Sequence, residues 1–360
     1  SKDTPPSQFA GRLDLRDLTV VSVDPADCPD RDDAMHARVL GDGRIQVGIH
    51  VADVSHWVRP GSACDAIARK RACAVYGNAG SLPMLPAALG EGVCSLDQGV
   101  DRLAVSVIWE STADGKLVGE PWIGRTVVRN TRALDYGTAN QVIADDAAAI
   151  GGLPEGVVAT LKLLWGVASS RRTTETRVDF LSKALEEDPS WAAEGVAIKS
   201  FALRDDTRAD KLVEEVMLLT NCVFAVLADV DTATPAVALL KCHPSPRADS
   251  LLNLHSFCES RGLEVDTSSA PRLQLSLDRL AAAGMPANTI LGVQRQLMRI
   301  MPKAEFFLTH CKDPSQWGYF DVGVPCYTQF TSPIRRYSDL TVHRMLVSAI
   351  RLGTPAGADT

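Results

Sequence analysis

The apolar residues change period partway along the chain, and this change limits the fold more than any other feature. Up to about residue 131 they recur at every second position; from about residue 155 they recur at three- and four-residue steps. In RIQVGIHVAD the residues Ile45, Val47, Ile49 and Val51 alternate, the period of a strand with one buried face. Strands are predicted at 18–24, 34–40, 44–53, 103–110, 116–123 and 125–131, with Gly41-Asp42-Gly43 and Asp114-Gly115 as turns. Ser62, with Asp65 three residues on, predicts a helix running to Tyr76 and stopping at Gly77. In the second half Val157, Val158, Leu161, Leu164, Trp165 and Ala168 mark a helix, and others cover 208–229 and parts of 246–262, 271–283 and 287–301. The last covers about 333–352, with Ser332 as N-cap, Pro333 at N1 and Gly353 at C′. Strands first and helices later is an α+β order; alternating βαβ units would interleave them.

Composition removes several classes of protein. Hydrophobic residues make up 46% and charged residues 22%, a globular balance and not a disordered one. No apolar run is long enough to span a bilayer, and SKDTPPSQFAGR at the start lacks the apolar core of a secretory leader, so no membrane association is expected. The 37 Lys+Arg against 44 Asp+Glu give a net charge of −7, which does not exclude nucleic acid because phosphate binding depends on local patches. The nine cysteines are odd in number and form no C-x-x-C pair, so neither a disulfide framework nor a zinc ribbon is expected. Reduced thiols point to an intracellular, reducing compartment, with cytoplasm, nucleus and organelle left unresolved.

The stretch VDPADCPDRDDA holds Asp24, Asp27, Asp30, Asp32 and Asp33 within ten residues. Carboxylates this close repel one another unless a positive charge sits among them. An EF-hand loop starting at Asp30 fails, because Ala34 and Met35 stand where a ligand and the glycine belong. A solvated acidic loop and a Mg²⁺ site for phosphodiester chemistry both remain open on these residues alone.

Longer stretches carry more information. GIHVADVSHWVRPGSACDAIARKRACAVY (48–76), LPMLPAALGEGVCSL (82–96) and TSPIRRYSDLTVHRML (331–346), together with DLRDL (14–18) and the acidic loop, resemble the RNB family, the ribonuclease II-like exoribonucleases. VDRLAVSVIWE (100–110) leans toward the eukaryotic, exosome-associated branch. The resemblance implies an α+β fold with a mixed or antiparallel sheet in the N-terminal half, surrounded by helices, and a buried RNA channel. It assigns residues 13–348 to the RNB catalytic domain, with tails at 1–12 and 349–360; the cold-shock and S1-type OB domains that family members usually carry are not expected in this sequence, a departure from the family. It further implies processive 3′→5′ hydrolysis of single-stranded RNA with a free 3′ end to nucleoside 5′-monophosphates. A larger RNA-degradation complex is a further implied partner. The alternative is a catalytically weak or inactive RNB core that binds RNA or a protein partner.

By the same resemblance the family pattern D-x5-D-x-D-D falls on Asp24, Asp30, Asp32 and Asp33. These would hold one or two Mg²⁺ ions, with Mn²⁺ as substitute; Asp27 lies off the pattern and reads as a solvated bystander. Asp32 is the position most tied to catalysis. Tyr76 corresponds to an aromatic that stacks on the 3′-terminal base, Phe180 to its partner, and Tyr136 to another aromatic of the channel. Arg335 is the residue expected to grip the phosphate near the scissile bond, with Arg336 beside it at the start of the last helix. Either Glu214 or Glu215 is expected to accept a hydrogen bond from a ribose 2′-hydroxyl. His50, His56 and His243 read as packing or hydrogen-bonding residues, and the basic run Arg69, Lys70, Arg71 as solvated or as tracking RNA. The approach to the TSPIRRY motif, 310–330, departs from the family pattern and leaves the channel wall there in doubt.

Overall fold

A computed structural model describes residues 4–77, 80–174, 185–187, 201–203, 207–227, 238–320 and 322–352. The N-terminal half forms a sheet from β1 (Leu13–Asp14), β2 (Val20–Asp24), β3 (Asp33–Val39), β4 (Ile45–Ala52), β7 (Asp101–Ser111) and β8 (Leu117–Asp135). Between β4 and β7 lie α1 (Val54–Trp57), α2 (Ala63–Arg71) and the small hairpin β5 (Val75–Gly77) with β6 (Gly80–Leu82). The strand order is β1-β8-β2-β3-β4-β7, and β7 also pairs with β8, so the sheet closes on itself. β2 runs parallel to β8 while β2–β3, β3–β4, β4–β7 and β7–β8 are antiparallel, so the sheet is mixed as expected.

Closure explains why β4 does not present one solvated face. All but one of its residues are buried, including Gly48, His50 and Ala52. The small and polar alternate positions point into the closed sheet. There the His36 and His50 rings stack, with Nδ1 of one 2.9 Å from Nε2 of the other, and His50 Nδ1 lies 2.7 Å from Ser106 Oγ. A side chain at Gly48 would put its Cβ 2.1 Å from the His36 ring, so only glycine fits. Burial holds the His36 imidazole down at about 4, and burial and the neighbouring His36 hold His50 well below its ordinary value, so both are neutral at physiological pH.

The expected strands at 116–123 and 125–131 are one strand, β8. Gly124, read as a break, lies under the Trp122 ring, where a Cβ would be 2.5 Å from ring carbon. It keeps the ladder intact while making room for the indole.

After β8 come α3 (Tyr136–Ile143), α4 (Ala147–Gly151), α5 (Glu155–Thr174), the strand pair β9 (Leu185–Glu187) and β10 (Phe201–Leu203), and α6 (Arg208–Leu227). Val157, Leu161, Leu164 and Ala168 of α5 and Leu212, Val216, Leu219 and Val223 of α6 share one core with Val21, Val23, Met35, Val47 and Ile49 of the sheet. Each such side chain contributes about 1.5–3 kcal/mol by leaving water; truncating Leu161 to alanine would cost about 2–5 kcal/mol. Next come β11 (Leu239–Cys242), then α7 (Ala248–Glu259), α8 (Ala270–Ala282) and α9 (Ala287–Ile300) around their own core, and β12 (Glu305–Leu308), which pairs with β11. The chain ends in α10 (Tyr337–Leu352). Among the described residues no helix is long and apolar enough to cross a membrane.

Two helix boundaries differ from expectation. Helix α2 stops at Arg71, where Ala72 takes φ +63°, and Tyr76 lies on β5 and not at a helix end. Helix α10 begins at Tyr337, so Arg335 and Arg336 precede it. One cause produces both. The Ala74 N–H donates to Arg335 O and the Tyr337 N–H to Ala72 O, each at 2.8 Å, so the two segments bridge each other instead of winding. Gly353, the expected C′ residue, lies outside the described residues.

Candidate active site

β2 and β3 are antiparallel neighbours, so the end of one and the start of the next share one edge of the closed sheet, and the acidic stretch connects them. Asp24 ends β2 opposite Asp135 of β8, and Asp33 opens β3 opposite Val51. Tyr136 follows Asp135 directly, which brings the start of α3 to the same edge. Main-chain bonds pin the loop: Arg31 N–H to Ser95 Oγ at 3.0 Å, Leu96 N–H to Arg31 O at 3.0 Å, and Ala52 N–H to Asp32 O at 2.8 Å. The 332–336 turn closes over it. The Ile334 N–H donates to Asp32 Oδ1 at 2.7 Å, and Arg335 Nε lies 3.4 Å from Asp32 Oδ2.

These elements surround a cavity of about 810 Å³. Its walls include Asp24, Asp30, Asp32, Asp33, Tyr76, Tyr136, Glu214, Arg335 and Arg336. Tyr76 is 62% exposed, a ring held out from its hairpin with no core to fill. Asp27, read as a bystander, also lines the cavity from an exposed position. Glu215 does not. It is buried, with Arg171 Nε 3.3 Å from its carboxylate, so of the neighbouring pair it is Glu214 that reaches the cavity. Glu214 also meets Arg172 at 3.1 Å. Phe180 lies outside the described residues. Arg336 gives one nitrogen to Asp339 of α10 at 2.6 Å.

Sequence reasoning passed over Arg31, Cys28, Asn221 and Tyr327. Arg31 stands 3.6 Å from Asp24 and 3.2 Å from Asp97, a cation inside an acidic run that the Asp spacing obscured. Cys28, Asn221 and Tyr327 line the cavity. Tyr327 sits in the segment flagged as departing from the family pattern, and that departure was its one signal. Burial and the Asp24 carboxylate push the Cys28 thiol up to about 11, which makes it a poor nucleophile.

The carboxylates are short of positive charge. Burial raises Asp32 to about 7 although Arg335 and the Ile334 N–H oppose the shift. Burial raises Asp24 to about 6 against a hydrogen bond from Ser22 and the Arg31 charge. Asp33 is raised well above the ordinary range by burial and by Asp24 and Asp32 beside it, and Asp30 is raised chiefly by burial. Asp24 Oδ2 is buried without a hydrogen-bond partner. Such a set favours the arrival of a cation, because a bound ion offsets the desolvation that disfavours the charged form of these groups.

The donors are all hard oxygens, the type Mg²⁺ selects. Among the described residues no three His, Cys, Asp or Glu side chains converge as a ready-made cage. Mg²⁺ usually takes one or two carboxylates and completes its shell with water and substrate phosphate, so an open acidic wall fits it better than a closed cage would.

A closed mixed sheet with an acidic β2–β3 connection, capped by the 332–336 turn, defines an RNB domain; that family matches residues 12–352, and the chain belongs to it. Among individual proteins, it is 34% identical over 360 residues to DIS3-like exonuclease 2 of Arabidopsis thaliana, covering 97% of this chain and 34% of that protein. It is equally similar, 34% over 360 residues with the same coverage, to a protein of the same organism named inactive exonuclease DIS3L2. Both relatives are eukaryotic, the branch toward which residues 100–110 lean. The chain spans about a third of the length of these relatives. The fold is that of Mycoplasma genitalium RNase R, solved in complex with ribose-methylated single-stranded RNA, at a TM-score of 0.84 and 22% identity over 98% of this chain and 53% of that one.

Proposed function

We propose that this chain is the core of a processive, hydrolytic 3′→5′ exoribonuclease that degrades single-stranded RNA to nucleoside 5′-monophosphates with Mg²⁺. One observation carries the reading: a single cavity is lined by four desolvated aspartates, an arginine tethered to one of them, and an exposed tyrosine ring. Asp24, Asp30, Asp32 and Asp33 would hold one or two Mg²⁺ ions, which when bound supply an activated water and offset charge on the phosphate. Asp32, oriented by the Ile334 N–H, accepts a hydrogen bond from the attacking water. Arg335, whose Nη2 donates to Ser332 Oγ at 2.9 Å, presents its guanidinium to the scissile phosphate and stabilises the charge that develops there. Tyr76 stacks on the 3′-terminal base without regard to its identity. Glu214 accepts from a ribose 2′-hydroxyl, which favours RNA over DNA, and Tyr136 lines the path of the strand.

The test is digestion of a 5′-labelled RNA with Mg²⁺. Mononucleotides are expected from the wild type, and continued release by Asp32→Asn would remove Asp32 from the chemistry. A second reading, an RNA-binding core without turnover, is favoured by the relative named inactive, which is as similar to this chain as the relative named an exonuclease. RNA retention with no mononucleotide at any Mg²⁺ concentration would select it.

A further inference from the structure

We propose that Tyr327 is a phosphate-binding residue of this cavity, aimed by Asn221 and working beside Arg336. The proposal rests on the RNA reading above and adds a residue to it. Asn221 lies on the stripe of α6 that lines the cavity, together with Val213, Glu214, Met217 and Leu218. Its amide orientation is fixed, because Oδ1 accepts the buried Phe330 N–H at 2.9 Å. The NH₂ group is therefore left for Tyr327, and Nδ2 donates to the Tyr327 hydroxyl at 3.1 Å. The hydroxyl oxygen is the acceptor in that bond, so its own proton is directed elsewhere, and among the described residues no side chain takes it. The ring is held in place by Tyr319 at 4.7 Å between centroids, and the Tyr327 carbonyl accepts from the Lys241 N–H at 2.8 Å.

Arg336 supplies positive charge beside it. Its Nη2 is spent on Asp339, but its Nε is buried and has no hydrogen-bond partner. Tyr327, with its uncommitted O–H, and the charged guanidinium of Arg336 thus line the same cavity. An anionic phosphodiester, with its two free oxygens, is the ligand group that satisfies both. Burial pushes the Tyr327 phenol up, so it stays a donor at any working pH.

The experiment measures binding of fluorescein-labelled single-stranded RNA by anisotropy, without divalent metal, alongside the unfolding midpoint of each variant. Tyr327→Phe keeps the ring and is expected to weaken binding about tenfold with the midpoint unchanged. Asn221→Asp still accepts the Phe330 N–H but turns the phenol proton back toward itself. It should cost about as much as Tyr327→Phe, and the double variant should be no worse than either alone. In a series of RNAs carrying one neutral methylphosphonate each, the penalty of Tyr327→Phe should vanish at one linkage. Wild-type affinity for Tyr327→Phe, or a penalty that persists at every linkage, overturns the assignment while leaving RNA binding intact. A wild-type chain that binds no RNA overturns both this assignment and the proposed function.

Discussion

A single buried aspartate, Asp53, and the aspartates of the β2–β3 connection lie on the same closed sheet and are treated in opposite ways. Asp53, just beyond β4, is fully buried, yet its Oδ2 meets Arg12 Nη2 at 2.6 Å and Arg125 Nη2 at 2.9 Å, while Oδ1 accepts from the Ser55 hydroxyl at 2.7 Å. Burial alone would raise it; the two guanidiniums outweigh burial and hold it well below the ordinary carboxylate range. Asp32 is almost as buried and has one guanidinium at 3.4 Å, and it rises to about 7. Asp53 and Asp32 carry the same functional group in a similarly dry environment. The difference is whether the protein supplies the counter-charge itself. Where it does, the carboxylate serves the fold; where it does not, the deficit is available to a ligand.

This contrast can be broken by substitution. Asp32→Asn is expected to lower mononucleotide release by about 10³-fold while leaving thermal stability equal or higher, because an underpaired buried charge is removed; a fall in both would show Asp32 to be structural. Asp53→Asn should do the reverse, costing about 3–5 kcal/mol in urea unfolding because two guanidiniums lose their partner.

The pH dependence sharpens the comparison. Asp32 has its folded-state value raised from 3.8 to about 7, so its contribution to stability is fully present below pH 3.8 and is lost as pH rises toward 7. Asp53 has the opposite sign: its contribution is present above 3.8 and is lost only as pH falls through its depressed value. The metal-free protein should therefore lose stability between about pH 4 and 7, and Mg²⁺ should restore about 2–3 kcal/mol at pH 8 when present at a hundred times its Kd. Little stabilisation is expected at pH 5, and equal thermal shifts at both pH values would contradict the assignment. The smallest effect concerns none of these aspartates. Tyr76→Ala should weaken RNA binding by about 1–3 kcal/mol without moving the unfolding midpoint, since the ring fills no core.

Local periodicity made the sheet legible. The alternation in β4 and the β-branched run of β2 are near-neighbour signals, and β2, β3, β4 and β7 lie where those signals put them to within one or two residues. The acidic connection was legible for the same reason, being contiguous. The Tyr76 hairpin and the start of α10 were not, because what shapes them is a backbone bridge between residues more than 250 positions apart, Cys73 to Arg336. The choice between Glu214 and Glu215 was equally hidden. Adjacent residues on a helix point about 100° apart, and only the arginines of α5 decide which of them turns inward. Tyr327 escaped because its role depends on an amide on helix α6, a relation that no motif spacing encodes.

The bridge between residues 72–74 and 335–337 has a mechanical consequence. It ties the segment that carries the aromatic ring to the turn that carries the guanidinium, through main-chain bonds that do not bend with side-chain rotamers. The backbone therefore fixes the spacing between the two segments, and the gap between them can act as a gauge. For a chain that trims a polymer, such a gauge would set the length of each bite in the backbone itself, independent of which base is being removed.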